Sequence, residues 1–164
     1  MSDSQPWWRG ARGEYYVVVQ VALFALIALG PPTLPGWPAR PPALAGGAQI
    51  LGIALMLAGA ALALAGLAAL GSNLSVLPAP RDCAELVESG AYRIVRNPIY
   101  SGLILGAFGW GLWRAGVLTL VYALALFALF DAKSRLEERW LAEKFGEQYR
   151  EYQSRVRKLI PWVY

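Results

Sequence analysis

Long uninterrupted apolar runs, more than amphipathic periodicity, organise this chain. They occupy residues 15–30, 44–70, 99–113 and 115–130. No charged residue falls between Glu14 and Arg40, nor between Arg40 and Arg81. A helix that crosses a ~30 Å hydrocarbon core needs about 20 apolar residues. The second run has 27 residues and crosses with room to tilt. The first has 16 and is short for a crossing. Trp7, Trp8, Tyr15 and Tyr16 at its start fit an interfacial aromatic belt. The third and fourth runs reach only ~23 Å each by helical rise. Arg114, Ala115 and Gly116 separate them, which predicts a tight helical hairpin. It either crosses fully, with Arg114 reaching the interface, or dips in and returns. Both versions leave its two ends on one side of the membrane.

The expectation is an all-α fold: a single multi-span helical membrane domain over 1–164, with about four transmembrane helices including the short hairpin. A cytoplasmic loop fills 71–98, and a cytoplasmic helix and tail fill 131–164. Pro31, Pro32, Pro35, Pro38, Pro41 and Pro42 form a rigid connection between the first two runs. The polar stretch before Tyr15 carries no signal-peptide pattern.

Helical periodicity does emerge after the last run. Phe127, Phe130, Ser134, Glu137, Glu138, Leu141, Phe145, Tyr149, Tyr152 and Val156 recur at intervals of mostly three and four residues. They fall on one face roughly 100° wide. One long helix is therefore expected to leave the membrane and continue with an apolar side. Glu137 and Glu138 sit at that stripe, where a carboxylate is costly without a partner. They either lean to solvent, or pair with Lys133 or Arg135 at helical spacing, or face a polar or cationic ligand.

Composition narrows the chemistry. The chain has 57% hydrophobic and 16% charged residues, against about 25% charged in an ordinary soluble domain. It has no histidine, which removes the commonest general base and the usual zinc and haem ligands. Its single cysteine, Cys83, excludes an intrachain disulfide framework and any CxxC motif. The net charge of +4 is explained by its distribution. With a cytoplasmic N-terminus and four crossings, only Arg40 and Arg114 among the 15 basic residues lie outside. That obeys the positive-inside rule and leaves no nucleic-acid footprint. The basic residues act toward membrane lipids. Richness in Ala, Leu, Gly and Arg suggests a GC-rich coding sequence and a bacterial inner membrane, with both termini cytoplasmic.

The loop 71–98 holds the second set of polar candidates. Gly90 suits a turn, and Asn97 before Pro98 is pushed out of the α region. Pro98 suits the first turn of the third helix. Free N–H groups at that helix start can hold a carboxylate or phosphate, with Arg96 beside them. The plain alternative is a capped loop with positive-inside arginines. Asn73-Leu74-Ser75 matches a glycosylation sequon but falls on the cytoplasmic side.

These residues carry a resemblance. Leu86-Val87-x-x-Gly90-x-Tyr92-x-x-x-Arg96-Asn97-Pro98-Ile99-Tyr100-Ser101-Gly102 resembles the signature of the isoprenylcysteine carboxyl methyltransferases and their phospholipid methyltransferase relatives. Glu137-Glu138-x-x-Leu141-x-x-x-Phe145-Gly146-x-x-Tyr149-x-x-Tyr152-x-x-x-Val156, with Leu159-Ile160-Pro161, is similar to that family's C-terminal pattern. The likeness runs from about Gly71 to Pro161. One departure is Asn97, where the family usually has His in an Arg-His-Pro-x-Tyr run. Asn keeps the hydrogen bonds but carries no proton at neutral pH.

The resemblance implies S-adenosylmethionine as methyl donor, a lipophilic or lipid acceptor, and direct in-line methyl transfer. Carried over, the cofactor contacts fall on Leu86, Val87, Tyr92, Asn97, Pro98, Ile99, Tyr100 and Glu137. Arg96 joins them on the residue chemistry above. The substrate-side basic residue falls on Lys133, where the family more often has Arg. Catalytic candidates are Glu137, Glu138 and Tyr100, the evident bases for an acceptor that must lose a proton. No metal is expected. Two other classes compete. A non-catalytic membrane scaffold would use small-residue surfaces such as Gly102-x-x-x-Gly106. A sterol-reductase-like enzyme would bind NADPH.

Overall fold

The computed structural model describes residues 14–36, 42–71, 86–161 and 163–164. The N-terminal tryptophans, most of the prolines after Pro35, Arg40, the sequon, Arg81 and Cys83 lie outside them. Among the described residues five α-helices form: α1 Glu14–Leu29, α2 Pro42–Leu70, α3 Pro98–Trp113, α4 Val117–Phe145 and α5 Glu147–Arg155. A single 3₁₀ turn, Gly90–Arg93, precedes α3. The fold is all-α, with no strand among the described residues. Gly46–Leu70 and Val117–Phe145 are long and apolar enough to cross a membrane; Tyr15–Leu29 is a shorter apolar helix.

Pairwise contacts fix how the helices stand. On α2, Gly52 and Gly59 abut Gly109 and Gly102 of α3, and Gly66 abuts Pro98 and Ile99. A Cβ at Gly59 would lie 2.4 Å from the carbonyl oxygen of Gly102, and one at Gly102 would lie 2.4 Å from that of Gly59. Seven-residue spacing on each helix keeps these glycines on one seam, so the backbones meet directly. Gly106, the second glycine of the expected Gly102-x-x-x-Gly106 surface, points its Cα hydrogen into open space. The close partner of Gly102 along the helix is Gly109, one full heptad on.

α1 packs on α4 with the opposite direction. Leu118 N–H donates to Pro32 O at 2.9 Å, and Lys133 Nζ donates to Gln20 Oε1 at 3.1 Å. The start of α1, the end of α2, the start of α3 and Lys133 of α4 therefore share one end of the bundle. The end of α1 and the α3–α4 turn share the other. There Trp110 Nε1 donates to Ile27 O at 2.9 Å, and Arg114 donates to Ala28 O. Both arms of the hairpin run the depth of α1. Ala115 turns the chain at φ 55. Between the ends, Leu126, Ala123 and Phe130 are fully buried. Ile50, Leu57 and Leu64 of α2, Val18 and Val21 of α1, and Leu124 of α4 are exposed. Such a continuous apolar surface suits lipid contact.

Past Phe130 the sequence changes character. Eight of the 15 residues from Asp131 to Phe145 are charged. This half of α4 stands clear of the apolar layer. The helix does not continue to Val156 as the stripe implied. Gly146, at φ 56 and ψ −124, ends α4, and α5 starts at Glu147. Helical spacing survives across the break, which is why periodicity alone missed it. The reversal sends the tail back over α3. Val95 and Arg157 form a parallel bridge, and the Arg96 and Asn97 amides donate to Arg157 O and Lys158 O. Ser101 Oγ donates to Leu159 O at 2.6 Å.

Candidate active site

Two polar clusters lie where the start of α3 meets the charged half of α4. The first is a lock. The Arg96 guanidinium contacts Glu138 Oε1 at 2.8 Å, with both side chains largely buried. It also donates to the main-chain oxygens of Gln153 and Val156 at the end of α5. Tyr152 Oη donates to Tyr92 O at 2.6 Å, and Asn97 Nδ2 reaches Lys158 O at 3.3 Å. Lys158 in turn pairs with Asp131 at 2.6 Å. The sequence predicts Arg96 beside free N–H groups at the start of the third helix. Its fork instead satisfies a carboxylate and two orphan carbonyls, and the tail occupies the Arg96 and Asn97 amides.

The second cluster has a different balance. Tyr100 Oη donates to Glu137 Oε1 at 2.5 Å. The Tyr100 ring stacks on Phe130 with centroids 4.5 Å apart, and Lys133 Nζ lies 5.2 Å over the same ring. Lys133, one helical turn before Glu137, is 3% exposed. Gln20 reaches it from α1. Tyr92 closes the side toward the 3₁₀ turn, within electrostatic reach of Glu137.

Burial pushes the Glu137 carboxyl up to about 7, although the Tyr100 hydroxyl and Lys133 pull it down. Burial lowers Lys133, and the Glu137 charge opposes that. The Tyr92 hydroxyl is pushed up to about 12, by burial first and Glu137 second. Glu137 is thus a carboxylate whose neighbours leave its charge under-compensated. Added positive charge would be favoured there.

Of the residues singled out from sequence, Tyr92, Tyr100, Lys133 and Glu137 come together. Glu138, Arg96 and Asn97 belong to the lock. Pro98 and Ile99 pack against Gly66 of α2. Leu86 and Val87 are half-buried in the segment entering the 3₁₀ turn. Sequence reading missed Gln20. Its signal was present: it is the one amide in α1, in a run otherwise apolar from Val17 to Leu29, and such residues usually face the bundle interior. No group of three or more acidic, Cys or His side chains suited to a metal exists among the described residues.

An apolar helical bundle with a largely buried carboxylate–phenol–ammonium cluster at one end defines a helical membrane protein with a polar site at its rim. Residues 48–148 match the phospholipid methyltransferase family, and the chain belongs to that family. That stretch holds Tyr92, Tyr100, Lys133 and Glu137; Gln20 lies before it. A probable protein-S-isoprenylcysteine O-methyltransferase of Oryza sativa subsp. indica is 32% identical over 83 residues, 50% of this chain and 44% of the relative. A methanethiol S-methyltransferase of Bradyrhizobium diazoefficiens is 43% identical over 74 residues, 43% of this chain and 24% of the relative. The protein-S-isoprenylcysteine O-methyltransferase of Xenopus laevis is 32% identical over 118 residues, 70% of this chain and 41% of the relative. The matched parts thus span less than half the length of these relatives.

Proposed function

We propose that this protein is an integral membrane methyltransferase that uses S-adenosylmethionine and acts on a lipophilic or membrane-embedded acceptor. The observation that carries this reading is Glu137. It is a carboxylate held by Tyr100, under-compensated by its surroundings, in a chain belonging to a methyltransferase family. The methyl donor fits these residues. Its ammonium or ribose hydroxyls suit Glu137, and the faces of Tyr92 and Tyr100 suit a cation or an adenine ring. When bound, S-adenosylmethionine supplies a methyl group activated by its positive sulfur.

The chain's own residues bind, orient and dry the site. Tyr100 fixes one Glu137 oxygen, and Phe130 fixes the Tyr100 ring. Lys133 stands on the α1 side and faces the acceptor. The tail lock closes the water side over the start of α3, and exclusion of water favours charge-neutralising transfer. An acceptor that is already an anion needs no base. A neutral one would need a base. The names of the relatives cover transfer to oxygen and to sulfur, so carboxylate and thiol acceptors are both in range.

Four crossings put Glu14, Leu70, Pro98 and Lys133 on the cytoplasmic face, in a bacterial inner membrane, and bring the acceptor in from the bilayer. Transfer of radiolabelled methyl from S-adenosylmethionine into membrane lipid extracts tests this. Labelled lipid, with S-adenosylhomocysteine binding and no NADPH binding, is the expected result. NADPH binding without either would establish the reductase class instead.

A further inference from the structure

The returning tail ends in a tight turn. The Leu159 and Ile160 amides donate to Tyr164 O at 2.8 and 2.7 Å, and the Tyr164 amide donates to Ile160 O at 3.0 Å. Leu159 joins the core cluster that holds Phe130, whereas Ile160 and Val163 are 42% and 73% exposed. The turn is thus pinned on one side and apolar toward its surroundings on the other. Its partners fix its depth. Ser101, in the first turn of α3, donates to Leu159 O. Tyr164 Oη donates to Asp131 Oδ1 at 2.9 Å and accepts from Arg135 at 3.2 Å.

Those partners also fix the side of α4 on which the turn lies. Positions 117, 121, 124, 128, 131 and 135 follow at alternating steps of four and three, which is one helix face. Val117, Val121, Leu124 and Ala128 are exposed along it, in the apolar surface that suits lipid. Asp131 and Arg135 come next on that line and are its first charged members. The turn therefore sits where a lipid-facing line of α4 passes from apolar to charged. Asp131, Lys158 and Arg135 leave one net positive charge at this rim.

We propose that the turn 159–164 is a membrane-interface anchor. Ile160 and Val163 enter the boundary of the leaflet at the site end of the bundle, with Tyr164 and Arg135 at the level of its anionic headgroups. Lipid is the occupant because the patch continues the apolar line of α4 and its rim charge complements phosphate. The same tail delivers the Gln153 and Val156 carbonyls to Arg96, so lipid contact helps to hold the lock closed. This rests on the reading that the apolar helices lie in a bilayer.

The test uses the full chain in nanodiscs of phosphatidylethanolamine and phosphatidylglycerol. A nitroxide is placed by Val163→Cys in a Cys83→Ser background, and its collisions with oxygen and with a water-soluble nickel chelate are compared. Leu124→Cys serves as the lipid control, and Arg150→Cys on exposed α5 as the water control. The oxygen-to-nickel ratio at 163 should lie nearer that of 124 than that of 150. A ratio nearer that of 150 would overturn the proposal, as would spin–spin broadening at 163, the mark of a second copy. The double substitution Ile160→Ser, Val163→Ser should speed tryptic cleavage within 155–158 about tenfold in the same nanodiscs. Both side chains are exposed in the folded chain, so a tail held by protein contacts alone would show unchanged cleavage, and that result would also overturn it. A label at 124 reached by nickel rather than oxygen would instead remove the membrane reading beneath it.

Discussion

Glu137 and Glu138 are adjacent in sequence and opposite in circumstance. Glu138 meets a guanidinium at 2.8 Å, and that guanidinium also serves two carbonyls of the tail. Glu137 meets a neutral phenol, and the ammonium that acts on it is bonded to an amide from another helix. One peptide step around α4 turns a carboxylate from a closed structural pair to an under-compensated one. A closed pair holds parts together. An under-compensated buried charge is unfavourable in the free protein, and its arrangement makes sense when a ligand completes it.

The largest effect is expected at Glu137 itself. Glu137→Gln keeps the size and an acceptor for Tyr100 but removes the charge, so S-adenosylhomocysteine affinity should fall by about 100-fold or more. The same variant should be more stable than wild type at pH 8 and nearly equal to it at pH 4. The folded protein holds the Glu137 proton up to about 7 against 4.5 in a model carboxyl. Stability is therefore lost as pH rises between those values, and the cost is full above them. Thermal unfolding at the two pH values reads this difference.

Next in size, Arg96→Ala or Glu138→Gln should destabilise the fold by about 2–3 kcal/mol, because each leaves a largely buried charge without its partner. Proteolysis of the tail, which the lock holds, should increase first. Third, S-adenosylhomocysteine affinity should rise about 30-fold from pH 5.5 to 8, as Glu137 ionises, and level off above that. Calorimetry in buffers of different ionisation enthalpy should show proton release below pH 7. The smallest effect is at the helix break. A Cβ at Gly146 meets nothing within 4 Å, so Gly146→Ala should cost about 1–2 kcal/mol from its backbone conformation alone. Chemical denaturation measures it, with ligand affinity little changed.

Much of the helical layout was written in the apolar runs, since hydrocarbon length and unbroken hydropathy are one-dimensional signals. The hairpin turn was legible in Arg114-Ala115-Gly116 for the same reason. Tertiary choices were less so. The stripe from Phe127 to Val156 keeps its spacing through Gly146, so a break looked like continuity. Arg96 looked like an anion fork because a cation beside a helix start suits one. Only the returning tail, pairing at Val95 and Arg157, shows what Arg96 holds. Glu137 and Glu138 sit at the same stripe, and nothing local separates them. Their roles are assigned by Tyr100, 37 residues away, and Arg96, 42 away. Gln20 and Lys133 are 113 residues apart, a pairing that local pattern does not encode.

The most direct measurement is the affinity of the chain for S-adenosylhomocysteine with Glu137→Gln and Glu138→Gln compared side by side, at a temperature where both are folded. If Glu137 is the ligand-facing carboxylate, its variant loses about 100-fold or more, and Glu138→Gln stays within about fivefold of wild type. Equal losses from the two, or a Glu137→Gln variant that binds like wild type, would contradict the division between site and lock.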